Sequence, residues 1–202
     1  MIGITVSTNY ADILPYVLEA NLPHLDHWII VTDCNDIDTQ KLLAPHPKII
    51  MLYWNFQNNK RVFDKGGAVR FAQEVAYKLW PDHWYLILDS DICLDADFNI
   101  ETCDLDPNGL YGLLTRRIYY TLSNYKNQIQ DDEYKNGRPL GFFQLYKKHC
   151  FYKPSFSASE CDDEFAMHNF DQHMTHDKSC SHLGRIYNNH HGRKEVDFII
   201  DM

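Results

Sequence analysis

Asp89, Ser90 and Asp91 follow directly on the apolar run WYLIL, and two carboxylates one residue apart at the end of such a run can hold a hard divalent cation. If the run is a strand, residues i and i+2 face the same way, so both carboxylates are expected at one site with Ser90 pointing elsewhere. The spacing alone says little, because the Asp-x-Asp triplet also occurs at 36/38, 95/97 and 104/106. Only 89/91 follows a run apolar enough for a central strand, where unpaired charges are costly unless a metal or hydrogen bonds neutralise them. Oxygen ligands that leave room for a phosphate suit Mg²⁺ or Mn²⁺. The bland alternative is a solvated strand end.

The elements that must position these acids are legible as short apolar runs at 2–8, 28–32, 48–54 and 84–88, each nearly continuous rather than alternating. That pattern predicts parallel strands covered on both faces by helices. Between the first two, 10–25 carries a rough helical stripe, with Asp12 as a cap and Pro15 in the first turn. The segment 64–79 is the clearest helix: Ala68, Phe71, Ala72, Val75, Ala76 and Leu79 recur at three- and four-residue steps, Gly66 and Gly67 open it and Pro81 follows it. The order implies an open, mostly parallel, doubly wound α/β sheet whose ligand lies beyond the carboxyl ends of the strands. The second half is less regular. Strands are expected at 109–117 and 140–147, a helix at 162–176, a mobile loop over the site at 119–138, and a polar, His-rich loop region from Lys178 onward.

With 202 residues the chain is expected to be a single domain, long enough to bury a core without disulfide or metal staples. A formal net charge of −9 and no basic stripe oppose a nucleic-acid surface. The start MIGITVSTN has no signal-peptide pattern, and no apolar run approaches the length of a membrane span, so no transmembrane segment is expected. The six cysteines, at 34, 93, 103, 150, 161 and 180, form no Cys-x-x-Cys pair. Reduced, mostly buried thiols in a cytoplasmic setting are the simplest reading. A zinc site drawn from Cys161, His168, His173, His176, Cys180 and His182 would match no common spacing.

The ITVSTN first strand, WIIVTD, the Lys65-Gly-Gly-Ala-x-Arg70 helix start and LDSD together resemble the nucleotide-sugar-dependent glycosyltransferases of the GT-A fold, closest in style to family 2. The resemblance covers about the first half of the chain. It implies a nucleotide-sugar half at 1–100 and a mixed acceptor and catalytic-base half at 101–202. Thr8 would line the nucleoside, Asp33 would contact base or ribose, Lys65 and Arg70 would border the nucleotide, and Asp89, Ser90 and Asp91 would hold ribose and metal-diphosphate. The donor would be a nucleoside-diphosphate sugar, UDP- or GDP-linked, and the acceptor a glycan or other hydroxyl. An acidic protein can hold such a dianion if a cation bridges carboxylates to phosphate oxygens. On charge alone, Lys65 and Arg70 are equally well read as solvated helix residues.

Ser159-Glu160-Cys161-Asp162-Asp163-Glu164-Phe165 resembles the acidic motif that opens a helix in inverting members. Asp162 then matches the catalytic base, with Asp163 as fallback, although Cys161 stands where Glu is usual. The helix macrodipole alone would also favour these acids. By the same resemblance His182 is a further metal ligand, with His176, His190 and His191 as rivals. Gly141, Phe142 and Phe143 would meet the acceptor; buried aromatic core is the plain alternative for the two rings. A nucleotidyltransferase would normally carry a glycine-rich loop after the first strand, and STNYADILP has no glycine. A non-catalytic sugar-nucleotide or glycan-binding module remains the third reading.

Overall fold

In the computed structural model, which describes residues 1–56, 63–135, 139, 141–154, 158–184 and 198–201, the four N-terminal runs become β1 (Ile2–Val6), β2 (His27–Thr32), β3 (Ile49–Tyr53) and β4 (Tyr85–Leu88). Helices α1 (Leu14–Asn21), α2 (Ile37–Leu43) and α3 (Lys65–Leu79) connect them. All pairings among these strands are parallel, in the spatial order β3-β2-β1-β4. The chain therefore winds outward from β1 to β3 and crosses back to the other side of β1. Where the order reverses, the carboxyl ends of β1 and β4 border a crevice, the usual place for a ligand in sheets of this kind.

The remaining elements are β5 (Ile92–Leu94), β6 (Leu110–Tyr119), α4 (Leu122–Lys126), β7 (Asp132–Lys135), β8 (Phe143–Tyr146), α5 (Ala158–Asn169) and β9 (His173–Leu183). They extend the same sheet as β4-β8-β6-β9-β5, with β7 on β6. Here the pairing is mixed: β8 is antiparallel to β4 and β6, β9 is parallel to β6, and β5 is antiparallel to β9. One mixed α/β domain results.

The continuous apolar runs have a direct cause. Leu86 and Leu88 enter the core on the α1 side with Trp28, Ile30, Phe143 and Leu145. Tyr85 and Ile87 enter a second core with Ile4, Val31, Tyr146 and the stripe of α3, Ala68, Ala72 and Ala76. Both faces of β4 are thus buried, so both alternating sets must be apolar. Asp64 caps α3 by accepting the Gly67 N–H at 3.0 Å.

Several expectations are corrected. Helix α1 begins at Leu14 after Ile13, with no side-chain cap from Asp12, although Pro15 does occupy the first turn. The acidic helix ends at Asn169, not at 176: Phe170 buries into the second core, and the chain turns into β9. Residues 178–183 are strand rather than loop, fixed by parallel pairing with β6. The expected loop at 119–138 contains α4 and β7, and its residues 136–138 lie outside the described residues. All six cysteines are free thiols, with Cys93, Cys150, Cys161 and Cys180 buried. No helix among the described residues is long and apolar enough to cross a membrane.

Candidate active site

Strand β4 stops at Leu88 and the chain turns at once, the Asp89 carbonyl accepting the Ile92 N–H at 3.3 Å before β5 begins. Asp89, Ser90 and Asp91 therefore occupy a tight turn, and strand alternation is not what gathers them. The turn still keeps the two acids close enough for Asp89 to raise the proton affinity of Asp91. Asp91 and Ser90 are both buried.

Lys65 is the hinge of the site. As the first residue of α3 it lies over the carboxyl end of β4, where its Nζ donates to Asp89 Oδ1 and to Asp162 Oδ2, each at 2.8 Å. Only 7 % of Lys65 is exposed. Burial opposes its charge, but Asp162 and Asp89 outweigh that cost and hold the ammonium well above the usual lysine range. The helix can approach this closely because Gly66 has no side chain: a Cβ there would strike the Lys153 carbonyl and crowd Cys161 at 3.1 Å. Cys161, fully buried on α5, packs against this glycine.

Asp162 projects from α5 to the other side of Lys65. The Tyr152 hydroxyl lies 3.0 Å from Asp162 Oδ1 and is also within reach of Gln144 Oε1, so its single proton serves one acceptor at a time. Gln144 Nε2 donates to the Asp162 carbonyl at 3.3 Å. Burial pushes the Asp162 carboxyl up to about 6, against the pull of Lys65. Gly141 backs onto this carboxylate so closely that a Cβ would collide with it. Gly141→Ala is therefore expected to displace Asp162 and to cost about 1–3 kcal/mol of stability. Urea denaturation would read the second effect, and an unchanged midpoint would contradict the packing.

Asp91 faces a different pair. Its Oδ2 lies 3.7 Å from His182 Nε2, and His182 Nδ1 lies 3.4 Å from Arg116 Nη1. The Arg116 guanidinium stacks over the Phe142 ring at 4.4 Å. Burial, with Asp89 adding to it, pushes the Asp91 carboxyl up to about 7, against the opposing pull of Arg116. A separation of 3.7 Å is too long for a direct hydrogen bond. It does suit two ligands of one ion, each roughly 2.1 Å from it. Among the described residues no three His, Cys, Asp or Glu side chains are arranged to hold a metal ion. Asp91 and His182 are the two side chains that could hold a divalent ion together here, the rest of whose shell would have to come from phosphates and water.

The other expected site residues scatter. Thr8 is buried just past β1, and Asp33 follows β2, accepting the Asn35 N–H at 2.8 Å. Asp36 is closer to the β1 end, since it accepts the Asn9 N–H at 2.7 Å while capping α2. Arg70 points away to Glu74 at 3.2 Å and to the Phe151 ring, so Lys65 and Arg70 do not share a site. Asp163 is half-buried beside Asp162. Phe143 is fully enclosed and offers no face to a ligand. His176 pairs with Asp177 at 2.9 Å, whereas His190 and His191 lie outside the described residues. Sequence reasoning missed Tyr152, Gln144 and Arg116. For Arg116 a signal existed, since adjacent arginines inside an apolar strand must face opposite ways.

This fold is a single mixed α/β domain with a parallel N-terminal half-sheet. The chain is similar to the crystal structure of a 4-diphosphocytidyl-2C-methyl-D-erythritol synthase, with a TM-score of 0.53, 13% identity, and coverage of 88% of this chain and 87% of that one. HddC from Yersinia pseudotuberculosis aligns with a TM-score of 0.47 and 11% identity over 89% of each chain. The galactosyltransferase LgtC, solved with donor and acceptor sugar analogues, aligns with a TM-score of 0.42 and 14% identity over 86% of this chain and 67% of that one. No family model matches the sequence, and no curated protein matches it.

Proposed function

We propose that this protein is a glycosyltransferase that moves a sugar from a nucleoside-diphosphate sugar, UDP- or GDP-linked, onto an acceptor hydroxyl with inversion. The observation that carries the reading is the Asp89–Lys65–Asp162 bridge, set beside Asp91 and His182 at the strand end bordering the crevice. An acceptor hydroxyl at Asp162 would give its proton to the carboxylate as its oxygen attacks the anomeric carbon. The bond from that carbon to the diphosphate breaks, and its electron pair leaves with the phosphate oxygen. Lys65 keeps Asp162 ionised and aimed, Tyr152 fixes the second carboxylate oxygen, and Arg116 adds positive charge on the donor side. A Mn²⁺ or Mg²⁺ ion held by Asp91 and His182 would neutralise the diphosphate and the charge that grows on it.

Incubation with a panel of UDP-, GDP- and dTDP-sugars and Mn²⁺ tests the reading. Slow release of nucleoside diphosphate without acceptor is expected. Pyrophosphate release from a nucleoside triphosphate would favour a nucleotidyltransferase, and donor binding with no release would favour a binding module.

The electrostatics of the bridge give a pH signature. A base must be deprotonated to act, so a carboxyl raised to about 6 predicts that kcat/KM falls as the pH drops through that region. Lys65→Met removes the charge that opposes this rise, and the acidic limb is expected to move upward by about 1–3 pH units. Lys65→Arg should restore the limb in part. A limb unmoved in Lys65→Met would show that Lys65 does not tune the base.

A further inference from the structure

A second cavity, of about 1050 Å³, opens beside β5. It lies across the sheet from the Lys65 cluster, because side chains alternate along β6 and β9. Arg116 and His182 take the face of Asp91, whereas Arg117, Ser179 and Ser181 take the other and line this cavity.

Its walls are built rather than incidental. Arg117 Nη2 donates to Asp95 Oδ1, and Ser179 Oγ donates to Asp95 Oδ2 at 2.8 Å, so both carboxylate oxygens are fixed. Ser181, only 3 % exposed, also borders the cavity.

The chemistry of the lining narrows the ligand. Glu19, Asp97 and Lys126 put both signs of charge around the space, which suits neither a diphosphate nor a free cation. Tyr16 and Tyr125 contribute rings, and Lys126 Nζ lies 5.7 Å from the Tyr16 ring centre. Aromatic faces beside carboxylates, an amide and hydroxyls match a molecule whose C–H faces alternate with hydroxyl groups. The volume exceeds that of a drug-sized pocket and would take about two or three sugar rings.

We propose that this cavity is a second carbohydrate site, which takes a neutral oligosaccharide on the face of the sheet opposite the transfer site. The inference goes beyond the transfer reading and holds even for a chain without turnover.

The test is ligand titration of the full chain by amide-resolved NMR, using maltotriose, cellotriose, mannotriose, chitotriose and xylotriose at up to about 20 mM, a range that captures millimolar affinity. At least one should shift the amides of Ser179, Ser181, Asp95 and Asp97. Ala96→Trp, which places a bulky ring at the exposed mouth, and the paired change Glu19→Ala with Asp97→Ala should each weaken that binding by about tenfold or more. Asp162→Asn should leave it unchanged. The proposal is overturned if no oligosaccharide binds, if the shifts gather around Lys65 and Asp162 instead, or if both cavity variants bind as the parent does.

Discussion

Asp162→Asn is expected to lower kcat by about 10²–10⁴-fold, the range a positioned general base contributes. The carboxamide has nearly the same shape: its oxygen can still accept from Lys65, and its NH2 can donate to the Tyr152 hydroxyl, whose own proton then goes to Gln144, so the fold and the donor pocket should survive. KM for the donor is accordingly expected to stay within about twofold, the pattern of a group that acts only in the transition state. The alternative base, Asp163, gives the comparison. It sits one residue along the same helix but is not part of the Lys65 bridge, and Asp163→Asn should cost far less. Steady-state kinetics on both variants separate the two, and full activity in Asp162→Asn would remove Asp162 from the mechanism.

Asp91→Ala is the second large effect. Asp91 is buried, and its carboxylate pays for that burial unless a positive group shares the space. Removal should abolish the Mn²⁺-dependent part of donor binding and lower kcat/KM by about 10²–10³-fold, as expected when several kcal/mol of charge stabilisation are lost. Calorimetric titration of UDP and GDP with and without Mn²⁺ reads the effect. Asp38→Ala, in another Asp-x-Asp triplet, is the control: Asp38 is exposed and, among the described residues, pairs with Lys41, so its loss should change nothing. Equal Mn²⁺ dependence in Asp91→Ala and the parent would place the cation elsewhere.

Much of the N-terminal sheet was legible because local signals and tertiary demands coincide there. Continuous apolar strands, a helical stripe opened by Gly66 and Gly67, and a proline after it each specify the same layout. The second half was less legible for an identifiable reason. Residues 173–183, HMTHDKSCSHL, look like a polar loop because the first half of β9 is largely exposed, while further along His182 takes the face of Asp91 and Ser179 and Ser181 line the second cavity. The extent of α5 was misjudged because its end is set by Phe170 entering the core, a tertiary event without a local breaker.

The candidate site divides in the same way. Asp89, Asp91, Lys65, Asp162 and His182 were singled out one at a time by residue type and by likeness to known motifs. Their mutual arrangement was not visible. Lys65 as a bridge between two acids requires α3 and α5 to meet across Gly66 and Cys161, a contact between residues almost a hundred positions apart. Arg70 lies further along the same motif and bonds Glu74 instead, a difference of direction that the motif alone does not show.

The most direct measurement is a crystal of the protein grown with Mn²⁺ and a nucleoside diphosphate, with data collected at the manganese absorption edge. The account predicts one anomalous peak between Asp91 Oδ2 and His182 Nε2, with the diphosphate alongside it and Asp162 still on Lys65. A peak elsewhere, or a diphosphate bound away from the carboxyl ends of β1 and β4, would contradict it.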